Sequence, residues 1–134
     1  MVKRIRPVTL DMKIADGNYV KTKMEVVTDA LKERGKYRPD LLYRGFSGDN
    51  IPEILKEGTD RTSENTTFCA TEAQITTPGI LDGEDIFYYA EEQKQPAIAV
   101  FNPDEMIYDC ASRYRFRHLM DKKRALVAVF RLKY

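Results

Sequence analysis

One histidine, His118, and two cysteines, Cys69 and Cys110, are the chain's whole stock of imidazole and thiol ligands. A lone histidine excludes His-pair metal sites and the H-E-x-x-H class. With the cysteines far apart in sequence, the ligand supply also argues against a structural zinc site, so no metal is expected. One cysteine pair in 134 residues is no disulfide scaffold. Two reduced thiols in a cytoplasmic protein are the expectation, with a Cys69–Cys110 disulfide as the alternative. No stretch approaches the roughly 20 consecutive apolar residues of a membrane-spanning helix, so no membrane partner is expected. The basic start, Met1-Val2-Lys3-Arg4-Ile5-Arg6-Pro7, is followed by neither an apolar run nor a small-residue cleavage site, which argues against a secretory signal. Internal repeats, low-complexity tracts, G-x-G-x-x-G and the P-loop are all missing, which excludes a Walker-type nucleotide site.

What is present is enough for one packed domain spanning 1–134. Hydrophobic residues make up 43% of the chain and charged residues 32%. The net charge of +1 conceals segregation. Met1 to Arg38 carries ten basic and five acidic residues, Pro39 to Asp109 four and fifteen, and Cys110 to Tyr134 eight and one. An acidic middle thus lies between basic ends. Taken as a total, the balance argues against general polyanion binding; taken locally, it points to basic ends packed against or beside the acidic middle.

Along the chain, Val8, Leu10, Met12 and Ile14 alternate, which predicts a half-buried strand from Arg4 to Ile14. Asp16-Gly17-Asn18 signals a turn. Thr22 and Glu25 form a T-x-x-E capping box for a helix whose stripe is Met24, Val27, Ala30 and Leu31, ending at Gly35. Leu41-Leu42-Tyr43 predicts a short buried strand ending at Arg44-Gly45. Asn50 and Glu53 predict a capped second helix, stopped by Gly58. Thr59 to Asn65 reads as a polar loop. Thr66 to Thr71 predicts a single strand. Gln74 to Gly83 reads as irregular, with turns at Pro78-Gly79 and Asp82-Gly83, before a third helix capped by Asp82 or Asp85 and running to about Lys94. Ala97 to Phe101 is a continuous apolar run, the pattern of a strand buried on both faces. Arg113 to Arg117 and Ala125 to Leu132, joined by a turn at Asp121-Lys122-Lys123, predict a terminal hairpin. Six strands and three helices in this order predict an α+β fold with antiparallel pairing rather than a doubly wound parallel sheet.

Candidate functional residues are few. Arg44 ends a buried strand beside Gly45, so it offers a fixed guanidinium fork suited to phosphate or carboxylate, next to a backbone that a ligand can approach. The plain alternative is a pairing with a nearby acid. Thr66, Thr67 and Thr71 put hydroxyls on one strand, where they order a loop, orient a ligand or simply favour β structure. Tyr88 and Tyr89 can stack on a ligand or fill the core. The adjacent carboxylates Glu91-Glu92 and Asp104-Glu105 point apart and make poor acid–base dyads. Arg113, Arg115 and Arg117 share one face of a strand and, with Lys122, Lys123 and Arg124, form a basic stripe. It suits nucleic acid or an acidic protein partner, or else it neutralises the acidic middle of the same chain.

The order of these segments resembles the ADP-ribosyltransferase superfamily. The matching pieces are Tyr43-Arg44-Gly45 at a strand end, Ile54-Leu55-Lys56-Glu57-Gly58 at a helix end, Phe68-Cys69-Ala70-Thr71 on a strand, Tyr89-Ala90 on a helix, and the strand Ala97 to Phe101. They cover roughly Leu41 to Pro103. The resemblance implies two small packed β-sheets with a cleft between them. It also implies NAD as substrate and transfer of ADP-ribose to an unidentified acceptor. Tyr43, Arg44, Gly45, Thr67, Thr71, Tyr88 and Tyr89 would then line the NAD site. The family's late-strand glutamate has no match here: no glutamate follows Glu105. Glu105 and Asp121 are the candidate catalytic carboxylates, and a catalytically degenerate member is the other form of this reading. The competing function is a non-enzymatic binding module that uses the basic stripe.

Overall fold

The computed structural model describes residues 5–14, 20–60, 66–77, 81–108, 113–116 and 122–134. The turn at Asp16-Gly17-Asn18, the loop residues 61–65, Pro78-Gly79, Cys110, Arg117, His118 and Asp121 lie outside the described residues.

Two sheets carry the fold. The larger has five strands: β1 (Val8–Asp11), β2 (Leu42–Ser47), β4 (Ala70–Thr71), β5 (Pro96–Phe101) and β8 (Leu126–Lys133), in the order β1-β8-β5-β2-β4. The smaller has three: β3 (Thr66–Phe68), β6 (Met106–Tyr108) and β7 (Arg113–Phe116), in the order β3-β7-β6. All pairings are antiparallel except β1 with β8, which makes the large sheet mixed. Five α-helices accompany them: α1 (Val20–Glu33), α2 (Ile51–Glu57), α3 (Glu72–Thr76), α4 (Leu81–Glu91) and α5 (Lys122–Ala125). The class is α+β, as the sequence predicts.

The large sheet is the middle of three layers, because its central strands are apolar on both sides. In β5, Ile98 and Val100 face one core, with α1, α3 and α4. Ala97, Ala99 and Phe101 face the other, with α2, α5 and the small sheet. Each fully buried leucine or phenylalanine in these layers contributes on the order of 1.5–3 kcal/mol.

Helix α1 buries Met24, Val27, Ala30 and Leu31, the predicted stripe. It closes in a Schellman motif, with Lys36 N donating to Leu31 O at 2.9 Å and Gly35 N to Lys32 O at 3.0 Å. Gly35 takes φ +67°, the left-handed conformation this motif needs. Gly58 ends α2 in the left-handed conformation too, at φ 82°, with its N–H donating to Ile54 O.

Several expectations are corrected. Helix α1 begins at Val20, so Thr22 lies inside it and is not its cap. Asn50 precedes α2 without a side-chain cap, because the preceding 3₁₀ turn, capped by Ser47, already supplies a helical start. The first strand stops at Asp11, whose carboxylate accepts from Lys13 N at 3.0 Å and turns the chain into a 3₁₀ turn over Met12–Ile14. Thr66 to Thr71 is not one strand but two, split between the sheets at Cys69. Asp82-Gly83 is not a turn; it falls inside α4, which ends at Glu91 rather than near Lys94. Helix α3 runs into the stretch from Gln74 that was expected to be irregular, and strand β6 lies where no element was predicted. The terminal hairpin does not form either. Strand β7 sits between β3 and β6, and β8 between β1 and β5. The physical reason is face polarity. A strand with alternate arginines needs one solvated face, whereas an apolar strand such as β8 is stable with both faces covered.

Candidate functional site

Strand β2 organises the site. Side chains alternate across a strand, so Leu42, Arg44 and Phe46 share one face, and Tyr43 and Gly45 share the other. Leu42 and Phe46 belong to the core between the sheets, and Tyr43 belongs to the helix-covered core. Arg44 therefore enters the inter-sheet layer, where a charge is costly unless it is paired and hydrogen-bonded.

The pairing is with Asp60. Arg44 Nε donates to Asp60 Oδ1 at 2.8 Å and Nη2 to Oδ2 at 3.1 Å, a two-pronged ion pair with side chains only 11% and 8% exposed. Arg44 Nη1 also donates to the Phe68 carbonyl at 3.3 Å. Phe68 is the last residue of β3, and β4 begins at Ala70. The guanidinium thus bonds the chain at the step where it leaves one sheet for the other. Asp60 is the residue that sequence reasoning did not single out. The available signal was the alternation of β2: an arginine between Leu42 and Phe46 requires a buried acid, and Asp60 follows the Gly58 helix stop.

Cys69, between the two strands, is a free thiol and wholly buried. Burial pushes its pKa up to about 12, Arg44 opposes that shift and Asp60 reinforces it. It is an inert packing group rather than a nucleophile.

Thr67 faces the same layer. Its cross-strand partner, Tyr114, packs against the inter-sheet core. The Thr67 hydroxyl is buried and has no hydrogen-bond partner among the described residues. Buried polar groups are nearly always satisfied, so this hydroxyl, one residue from Phe68, keeps unused bonding capacity among the described residues. Thr71, by contrast, is committed. Its Oγ1 accepts from Gln74 N at 3.2 Å and its own N–H donates to Gln74 Oε1 at 2.9 Å, a complete capping box for α3.

On the opposite face of β2, Gly45 serves the fold. A Cβ there would overlap the Ile86 carbonyl oxygen and lie 3.0 Å from Ala90 N. The close approach that Gly45 permits is that of helix α4. Tyr43 OH is buried on the same face without a partner among the described residues, and burial, then Glu72 and Tyr37, push its pKa well above the usual tyrosine value. Tyr37 OH donates to Glu72 Oε2 at 2.5 Å, and that bond with some burial raises Tyr37 to about 12.

The predicted site residues therefore divide. Tyr43, Arg44 and Gly45 share β2, and Arg44 reaches the strand that carries Thr67. Tyr88 and Tyr89 are exposed on α4, which covers the face of β2 opposite Arg44. Glu105 ends the 3₁₀ turn Pro103–Glu105 that leads into β6, beside Asp104, which pairs with Arg38 at 3.4 Å. Arg113 and Arg115 lie on β7, in register with Phe68 and Thr66, and Lys123 and Arg124 are exposed on α5, whose first residue is Lys122. No helix among the described residues is long and apolar enough to cross a membrane. No family model, curated protein or solved structure matches the chain.

Proposed function

We propose that this protein is an ADP-ribosyltransferase-like domain that takes NAD at the junction of its two sheets and transfers ADP-ribose to an acceptor. The observation that carries the reading is the position of Arg44. The residue expected to serve NAD lies between the sheets, bonded to the carbonyl where β3 gives way to β4. The buried Thr67 hydroxyl, one residue earlier in the chain and without a hydrogen-bond partner among the described residues, supports the same location. In this reading the ion pair with Asp60 cancels the Arg44 charge, so Arg44 contributes by fixing the β3–β4 step beside which NAD is taken rather than by attracting its phosphates.

The chemistry is a substitution at one carbon. The bond from the ribose C1′ to the nicotinamide nitrogen breaks, and its electron pair leaves on nicotinamide. The acceptor's nucleophile bonds to C1′ and releases its proton. A carboxylate opposite the departing base stabilises the oxocarbenium-like transition state. Glu105 and Asp121 are the two candidates for it.

Release of nicotinamide from NAD, followed by chromatography, tests the reading. Consumption of NAD with equimolar nicotinamide is the expected result, and Glu105→Gln and Asp121→Asn identify the carboxylate by which of them stops it. Binding without release assigns the degenerate form. Neither binding nor release at millimolar NAD overturns the proposal.

A further inference from the structure

Strand β1 pairs with only the second half of β8, Val8 with Phe130 through Asp11 with Lys133. The edge of β8 from Leu126 to Val129 is left without that neighbour, and the segment Ile5 to Pro7 passes near it. The result is a notch of about 240 Å³, lined by Arg6, Arg34 and Lys36 over Val8, Ala128 and Phe130. Among the described residues its lining holds three cations and no carboxylate, in a chain with 21 acidic residues.

Two of the cations are fixed by backbone carbonyls. Lys36 Nζ donates to Val127 O at 3.2 Å, and Arg34 Nη1 to Ala30 O at 2.7 Å. The Arg34 guanidinium lies 6.0 Å from the centre of the Phe130 ring. Each such bond uses one donor of a side chain that carries three or five. The nearest carboxylate to Arg34, Glu33, stands 3.9 Å away and is 78% exposed, so it neutralises little. Arg6 is exposed and makes no ion pair with a described residue. A neighbouring cavity of about 310 Å³ shares Ile5 and Arg6 and adds Pro7 and Leu55, an apolar continuation.

We propose that this notch binds the phosphate group of a small phosphorylated molecule whose apolar stem extends toward Leu55. Three cations lining one notch favour a dianion over a carboxylate, and guanidinium forks match phosphate geometry. At this volume the occupant is smaller than a drug-sized ligand, for which about 300–1,000 Å³ is usual. The larger cavity between β1 and α1, about 460 Å³ and carrying Asp11, Glu25, Asp29 and Glu33, repels the same ligand and serves as an internal control. The proposal does not rest on the reading of Arg44, which lies between the sheets.

The test is titration of the full chain with phenyl phosphate, inorganic phosphate and benzoate, followed by two-dimensional NMR. Phenyl phosphate is expected to bind more tightly than either control, with shifts confined to 5–8, 34–36 and 127–130. Arg6→Gln is expected to weaken it about tenfold or more with an unchanged melting temperature, and Lys36→Gln is the second variant. Benzoate binding as tightly as phenyl phosphate, shifts mapping elsewhere, or an affinity insensitive to both variants overturns the proposal.

Discussion

The Arg44 guanidinium grips the Asp60 carboxylate with two donors inside the layer between the sheets. Removing either partner leaves a buried charge without its counter-ion. Arg44→Gln or Asp60→Asn is therefore expected to lower stability by about 3–5 kcal/mol. The double variant is expected to recover part of that loss. Urea unfolding of the three variants gives both numbers, and additive losses would show that the pair is not coupled.

Gly45 and helix α4 make a second specific demand. With the Ile86 carbonyl in the space a Cβ would fill, Gly45→Ala must push the helix off β2. The expected cost is about 1–3 kcal/mol, the range for overpacking a core, and Gly45→Val costs more. An unchanged melting temperature for Gly45→Ala would mean the helix is not seated as described.

The α+β class and several elements were legible because they follow from one-dimensional patterns. The stripe of α1, its Gly35 stop and the both-face burial of Ala97 to Phe101 can all be read from apolar spacing alone. The pairing of β7 and β8 could not, because strand neighbours depend on which other strands offer an apolar face. The split at Cys69 was hidden for a similar reason: Thr66 to Thr71 keeps uniform β propensity across a point where the chain changes sheets. At the candidate site, Arg44 was legible as a cation on a buried strand. Its partner was not, since fifteen acids in the middle of the chain competed for the role.

Lys23 is buried on α1 and reaches both oxygens of Glu91 on α4 at 2.8 Å. The pair joins two helices on the same face of the large sheet, and Tyr134 lies against it. Glu91→Ala leaves the ammonium unmatched and is expected to cost about 1–3 kcal/mol. Chemical denaturation measures it, and a neutral result would mean that Lys23 reaches water.

Alkaline pH is expected to unfold the protein. Tyr37 and Cys69 are raised to about 12, and Tyr43, Tyr114 and Tyr134 are raised as well. In the unfolded chain these groups lose protons from about pH 8.5 for cysteine and about 10 for tyrosine. The native state then holds more protons than the unfolded one, so stability falls as pH rises. It is intact below the unfolded values and lost progressively toward pH 12. Melting temperatures across that window check the sign; a constant value would contradict it.

The buried Cys69 thiol is expected to resist modification. In a Cys110→Ser background, a thiol-specific chromophoric reagent should label nothing in the native protein and one group after unfolding. Rapid native labelling would show that the sheet junction opens.

The central claim is that NAD is taken at the junction of the two sheets. The most direct test is an NMR titration of the full chain with NAD. Saturable shifts at the amides of Arg44, Asp60 and residues 67–70 are the predicted result. The absence of saturable shifts at millimolar NAD, or shifts confined to α1 and β1, would contradict it.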